Sequence, residues 1–228
     1  MTYAVPFMGV PVLPVAGSSD EFPIRRIFCV GRNYAAHARE MGADPDREPP
    51  FFFMKPADAI VPLGGKVPYP PATNDLHHEI ELVAAIGVAG RDIPAERALD
   101  HVFGYGVGLD LTRRDLQGEA KKAGRPWDMG KGFDHSAPCS AIHPAAKIGH
   151  PEKGAIWLKV NGQDRQKGDL ADLIWSVPET IAYLSGLVGL APGDLIYTGT
   201  PEGVGAIKVD DTLLGHVDGI DDLEVTIG

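Results

Sequence analysis

The stretch His77-His78-Glu79-Ile80-Glu81-Leu82, running on into Val83-Ala84-Ala85-Ile86, constrains this chain more than any other. Apolar and charged residues alternate through it with a period of two, the pattern of a β-strand. Residues two apart in a strand project from the same side, so His77, Glu79 and Glu81 share one face. The two carboxylates stand roughly 6.5–7 Å apart at Cα. Like charges that close repel once they leave water. Either the strand is an edge with its polar face solvated, or a cation lies between the acids. The hexapeptide alone leaves both open.

At 228 residues the chain is one domain, or one domain with an appendage. Its hydrophobic content of 44% is enough for a sizeable core. A formal net charge of −10 argues against a nucleic-acid or anionic-membrane partner. It leaves room for a small anionic substrate met by local Lys and Arg. The two cysteines, Cys29 and Cys139, have no CxxC spacing, so neither a disulfide framework nor a structural zinc site is expected and a cytoplasmic location fits. The N-terminus lacks a basic n-region and is broken by Pro6, Pro11 and Pro14, unlike a signal peptide or a membrane span.

Residues 1–22 read as an N-terminal arm with one short strand, and residues 23–228 as a single catalytic domain. A buried strand is expected over 24–30. A helix over 33–42 follows, with Asn33 as N-cap and Gly42 as its stop. It would carry His37 and Glu40 three apart on one face, as a general-base pair or as a surface ion pair. The proline-rich loop 43–50 could close over a site. Phe51-Phe52-Phe53-Met54 is a strand, and 93–102 a short helix.

In Phe103-Gly104-Tyr105-Gly106-Val107-Gly108-Leu109-Asp110 the glycines alternate, with Asp110 on the same face. That face is cleared either for a ligand or for close packing of another segment. Its spacing is not that of a dinucleotide-binding loop. A helix is expected over 115–123. Lys131, between Gly130 and Gly132, either presents its ammonium to a ligand or lies on a plain loop. Asn161-Gly162 predicts a hairpin turn, and 178–187 a helix with Ile181, Leu184 and Leu187 facing the core. Gly199-Thr200-Pro201-Glu202-Gly203-Val204-Gly205 is a glycine-rich turn whose N–H groups and hydroxyl can hold a carboxylate, or it is a plain turn.

Together these segments resemble the fumarylacetoacetate hydrolase family. The resemblance covers 24–228 and is carried by Gly31-Arg32-Asn33-Tyr34-Ala35-Ala36-His37, Lys55-Pro56, His78-Glu79-Ile80-Glu81-Leu82, Gly108-Leu109-Asp110-Leu111-Thr112-Arg113-Arg114-Asp115, Lys131 and Tyr197-Thr198-Gly199-Thr200-Pro201. Within the family it is nearest the small single-domain acylpyruvases and fumarylpyruvate hydrolases. The resemblance implies a strand-rich α+β fold, a mixed β-sandwich roll with a few short helices, and a homodimer. It implies one divalent cation, Mg²⁺ or Mn²⁺, held by Glu79, Glu81 and Asp110, and three oxygen ligands without cysteine do suit a hard cation. It further implies a water-activating pair at His37 and Glu40, an active-site lysine at Lys131, and substrate-carboxylate contacts at Arg114, Gln117 and Thr200.

The implied activity is hydrolysis of a C–C bond in a 1,3-diketo acid, fumarylpyruvate giving fumarate and pyruvate in aromatic-acid degradation. Oxaloacetate decarboxylation, or isomerisation or decarboxylation of a 2-oxo-dienoate, would use the same ligand set. A non-catalytic binding protein on this fold is the third alternative. The expected partner is a small 2-oxo or diketo acid.

Overall fold

The computed structural model describes residues 2–6, 9–35 and 48–228. His37, Glu40, most of the 33–42 helix and residues 43–47 of the expected loop lie outside them.

A curled, mixed eight-stranded sheet forms the centre. Its order is Phe51–Lys55, Arg26–Gly31, Asp194–Tyr197, Ile80–Ile86, Val102–Leu109, Ala137–Cys139 and Ile60–Pro62, with His143–Pro144 also pairing to Val102–Leu109. A five-stranded sheet, Gln163–Asp169, Ala155–Val160, Thr212–Val217, Leu223–Ile227 and Gly65–Val67, packs against it. With a few short helices added, this is the strand-rich α+β roll expected.

The opening stretch is not one strand: it divides at Glu79, with Leu76–His78 in a small sheet beside Thr112–Arg113 and Gly205–Ile207, while Ile80–Ile86 sits in the middle of the large sheet with all seven residues buried. It is therefore not a solvated edge. Its alternation sorts side chains into two cores. Ile80, Leu82, Ala84 and Ile86 join Ile156, Leu158, Leu213 and Val217 between the sheets. Val83 and Ala85 join Cys29, Cys139 and Tyr197 on the opposite face. By the same period, Glu81 projects toward this second face.

The N-terminal arm contains two strands where one was expected. Val12–Pro14 and Glu21–Pro23 pair antiparallel, and Leu13 and Phe22 enter the second core. Phe22 stacks on Phe103 at 5.3 Å.

The alternating glycines resolve in favour of packing. A Cβ at Gly104 would lie 2.3 Å from the His143 carbonyl oxygen, and one at Gly108 would lie 2.6 Å from the Tyr197 ring. The strand is cleared for neighbouring chain segments rather than for a ligand, because the closing strands must approach its backbone.

Two smaller expectations also shift. The element near 93–102 is a 3₁₀ helix, Ala95–His101. The helix Val177–Leu187 is started by a Ser176/Glu179 capping box and buries Ile181 and Leu184, but Leu187 is 59% exposed. The helix ends there, beyond the core it covers. The Asn161-Gly162 turn forms as expected, both residues at positive φ (53° and 76°) between paired strands. No helix among the described residues is long and apolar enough to cross a membrane.

Candidate active site

Strand register builds the acidic cluster. Ile80 pairs with Leu109 and Glu81 with Gly108, and the Asp110 N–H donates to the Glu79 carbonyl at 2.9 Å. Glu79, Glu81 and Asp110 therefore leave the sheet from one side. One carboxylate oxygen from each lies within 4.8 Å of the others, and all three residues are buried.

Three buried negative charges need compensation. Lys131 Nζ donates to Glu79 Oε2 at 2.8 Å and to Asp110 Oδ2 at 2.7 Å. Lys55 Nζ contacts Asp110 Oδ1 at 2.8 Å and also donates to the carbonyls of Leu111 and Lys131. Arg114 donates to Glu79 Oε1. Glu81 differs: its Oε2 accepts from the Gly199 N–H at 2.7 Å, and it forms no ion pair with a described residue. Burial, then the Asp110 and Glu79 charges, push its carboxyl well above the usual carboxylate range. Burial disfavours the Lys131 ammonium, but Asp110 and Glu79 outweigh it and hold the group charged.

The donor set fits a hard divalent cation: three carboxylates converge, without sulfur, and one has no basic partner among the described residues. Such an ion would offset the repulsion that raises Glu81. The glycine-rich turn at 199 does hold a carboxylate as expected, but it is the chain's own Glu81. Gly199 is required there, with φ +103° and Asn33 Cβ at 2.6 Å from the position of any added Cβ.

The other expected residues gather around this cluster. Lys131 closes the short helix Asp128–Lys131 and is buried, not on an open loop. Gly130 allows this, because an added Cβ would lie 2.8 Å from the Gln117 backbone nitrogen. Arg114 and Gln117 share the helix Arg114–Lys122, and Arg114 Nη1 donates to Gln117 Oε1 at 2.6 Å. Arg113 turns away and lies over the Phe133 ring at 4.4 Å. Thr200 lines the same cleft as Glu79, Glu81, Arg114, Gln117 and Lys131. His77 is engaged by Asp75 at 2.9 Å and stays out of the acid cluster.

Four residues went unassigned in the sequence. Lys55 was read only as the end of an apolar strand and as part of a family motif, with no role given to it. Asn33, whose expected N-cap role falls on a helix mostly outside the described residues, clips the 175 and 198 segments: Nδ2 donates to the Trp175 and Thr198 carbonyls at 2.9 and 2.7 Å, and Oδ1 accepts from the Trp175 N–H at 2.7 Å. Beside it Arg32 adopts a left-handed backbone, φ 59°, which costs of order 1–3 kcal/mol in a non-glycine residue. Its guanidinium lies 5.5 Å from the Phe51 ring centroid, in the cleft wall formed by Phe51, Phe53 and Trp127. Gln166 arrives from the five-stranded sheet and gives no local signal at all.

His78 is buried behind the cluster, and its pKa is lowered from 6.5 to about 4 by desolvation. The folded pKa lies below the unfolded one, so the unfolded state binds more protons between them. Stability contributed by neutral His78 is complete above about pH 6.5 and is lost as pH falls, by roughly 2 kcal/mol at pH 5. Urea unfolding of wild type and His78→Asn at pH 8 and pH 5 checks this. The wild type is expected to lose about 2 kcal/mol more than the variant over that range.

Residues 26–228 match the family described as Fumarylacetoacetate (FAA) hydrolase C-terminal. A fumarylpyruvate hydrolase from Ralstonia sp is 47% identical over 190 residues, covering 82% of this chain and 98% of that protein. The mitochondrial oxaloacetate tautomerase FAHD1 of Arabidopsis thaliana is 43% identical over 202 residues, covering 89% and 90%. The crystal structure of fumarylpyruvate hydrolase from Pseudomonas aeruginosa in complex with Mn²⁺ and pyruvate superposes with a TM-score of 0.97 at 54% identity, covering 99% of both chains. The fold and the buried acid cluster define an enzyme scaffold built around a divalent-metal site. The chain belongs to the fumarylacetoacetate hydrolase family.

Proposed function

We propose that this chain hydrolyses an acylpyruvate, with fumarylpyruvate as substrate and fumarate and pyruvate as products. The observation that carries the reading is the distribution of charge in the cleft. Lys131 and Arg114 are engaged by the acids, and Arg32 lines the cleft beside the aromatic wall. A flat, unsaturated acyl group suits that wall, and its terminal carboxylate suits the Arg32 guanidinium. The relatives named fumarylpyruvate hydrolase support the choice of substrate.

In this proposal Glu79, Glu81 and Asp110 hold Mg²⁺ or Mn²⁺, which when bound supplies Lewis-acid polarisation of the 2-oxo acid end. Arg114, Gln117 and Thr200 orient the carboxylate of that end. His37, oriented by Glu40, takes a proton from water, whose oxygen adds to the distal carbonyl carbon. The bond between that carbon and the central methylene then breaks. Its electrons pass to the pyruvate fragment as an enolate, which takes a proton at carbon. Lys131 keeps a positive charge beside the oxygen on which that negative charge develops.

A second reading, keto–enol interconversion of oxaloacetate, is favoured by the relatives named oxaloacetate tautomerase. It needs no attacking water and no long acyl pocket, so the far wall separates the two readings. Arg32→Met is expected to raise KM for fumarylpyruvate about 10- to 100-fold, the worth of a hydrogen bond to a charged group. Acetylpyruvate, without the distal carboxylate, should change less than about threefold. Equal losses on both substrates would remove Arg32 from the distal site.

A further inference from the structure

Gln166 lies in the edge strand Gln163–Asp169 and is 1% exposed. Every hydrogen-bonding position of its amide is used. Oε1 accepts from His78 Nδ1 at 2.8 Å and from the Ile80 backbone N–H at 3.1 Å. Nε2 donates to the Pro201 carbonyl at 2.9 Å and to Thr200 Oγ1 at 2.8 Å. Two backbone groups settle which end of the amide is which, because an N–H only donates and a carbonyl only accepts. Thr200 Oγ1 must therefore accept from the amide, which leaves its own proton to point elsewhere. No described residue accepts that proton, and Thr200 lines the cleft with Glu79, Glu81 and Arg114.

We propose that Gln166 is a positioning residue that locks the Thr200 hydroxyl as a hydrogen-bond donor into the cleft, aimed at an oxygen of a bound 2-oxo acid. His78 completes the lock. Because Oε1 only accepts, His78 Nδ1 carries the proton of the bond between them. The chain of bonds ties the five-stranded sheet, the metal-site strand and the 200 turn into one polar unit. The inference rests on the reading that the cleft takes a 2-oxo acid beside a divalent cation.

Oxalate, which carries the adjacent oxygens of a 2-oxo acid, is the probe, titrated calorimetrically into the Mn²⁺-loaded protein. Thr200→Val and Gln166→Glu are each expected to weaken oxalate binding about 10- to 100-fold. In Gln166→Glu the new carboxylate accepts the hydroxyl proton and turns it away from the ligand. The double variant should bind no more weakly than the weaker single one, because both changes remove the same bond. Gln166→Met, which frees the hydroxyl to turn either way, should keep oxalate affinity within about threefold while melting at a lower temperature, since it strands buried polar groups. Losses that multiply in the double variant, or a Gln166→Glu protein that binds oxalate within about twofold of wild type, overturn the positioning role. Should Gln166→Glu fail to fold, proton NMR of the Mg²⁺-loaded wild type reads the same bond. The Thr200 hydroxyl resonance should move downfield on adding oxalate, and an unmoved resonance overturns the role. A wild-type protein that binds no oxalate with Mn²⁺ overturns the underlying reading of the cleft instead.

Discussion

Glu81→Gln is expected to abolish the stabilisation of the protein by Mn²⁺ while making the metal-free protein more stable. In the wild type, Glu81 is buried against Asp110 and Glu79, the Gly199 N–H is its hydrogen-bond partner among the described residues, and its carboxyl is held up accordingly. A neutral amide of the same shape keeps that bond through its carbonyl oxygen and relieves the repulsion. The metal-free variant should therefore unfold at higher denaturant than metal-free wild type. The cation site, however, loses one of three carboxylates. Loss of an outer-shell partner of a metal ligand already costs about 10- to 100-fold in affinity, so loss of a ligand should exceed 100-fold. Wild type at a hundred times its Mn²⁺ dissociation constant gains about 2.7 kcal/mol, roughly 5–10 °C in melting temperature for a chain of this size. The variant should gain almost nothing under the same conditions. Scanning calorimetry with and without Mn²⁺ measures both halves. A variant less stable than wild type without metal, yet still stabilised by Mn²⁺, would mean that Glu81 is structural.

Lys131→Met is expected to separate metal binding from turnover. The ammonium touches two of the three proposed ligands, so it competes with a cation for Glu79 and Asp110. Removing it should leave Mn²⁺ affinity unchanged or raise it. Without metal, the variant leaves two buried carboxylates short of a partner and should lose about 3–5 kcal/mol of stability. Added Mn²⁺ should restore part of that loss. Turnover should fall about 10²- to 10³-fold even at saturating metal, the usual cost of removing a group that stabilises developing negative charge. Steady-state kinetics alongside Mn²⁺ titration distinguishes this from Glu81→Gln, where both activities fall together. Turnover within about tenfold of wild type at saturating metal would take Lys131 out of the chemistry.

How much of this was legible in the sequence depends on how local each signal is. The alternation at 79–86 identified the strand and paired two acids, because strand periodicity is a property of neighbouring residues. Asp110 joins them only through the pairing of Ile80 with Leu109, which a single segment does not encode. The glycines at 104, 106 and 108 announced a cleared face, but what fills it comes from residues 137–144 and Tyr197, so the segment could not say whether a ligand or the chain itself lay there. Lys131 was visible between two glycines, yet its burial depends on Gly130 seating against Gln117. Leu187 had helical spacing right but falls on the last turn, past the core. Gln166 is the extreme case. It bonds to His78 across 88 residues from a strand whose sequence is merely polar. The family motifs, by contrast, located the acids, the lysine, Arg114, Gln117 and Thr200 together, because they retain the outcome of that folding.

The proposal that this chain is a fumarylpyruvate hydrolase is tested most directly by one proton NMR time course. Fumarylpyruvate and oxaloacetate are mixed in equal amounts with the Mg²⁺-loaded protein. The account predicts fumarate and pyruvate appearing together in equal amounts, at a rate proportional to enzyme and lost on chelation of the metal. Accelerated keto–enol exchange of oxaloacetate, with fumarylpyruvate left intact, would contradict it.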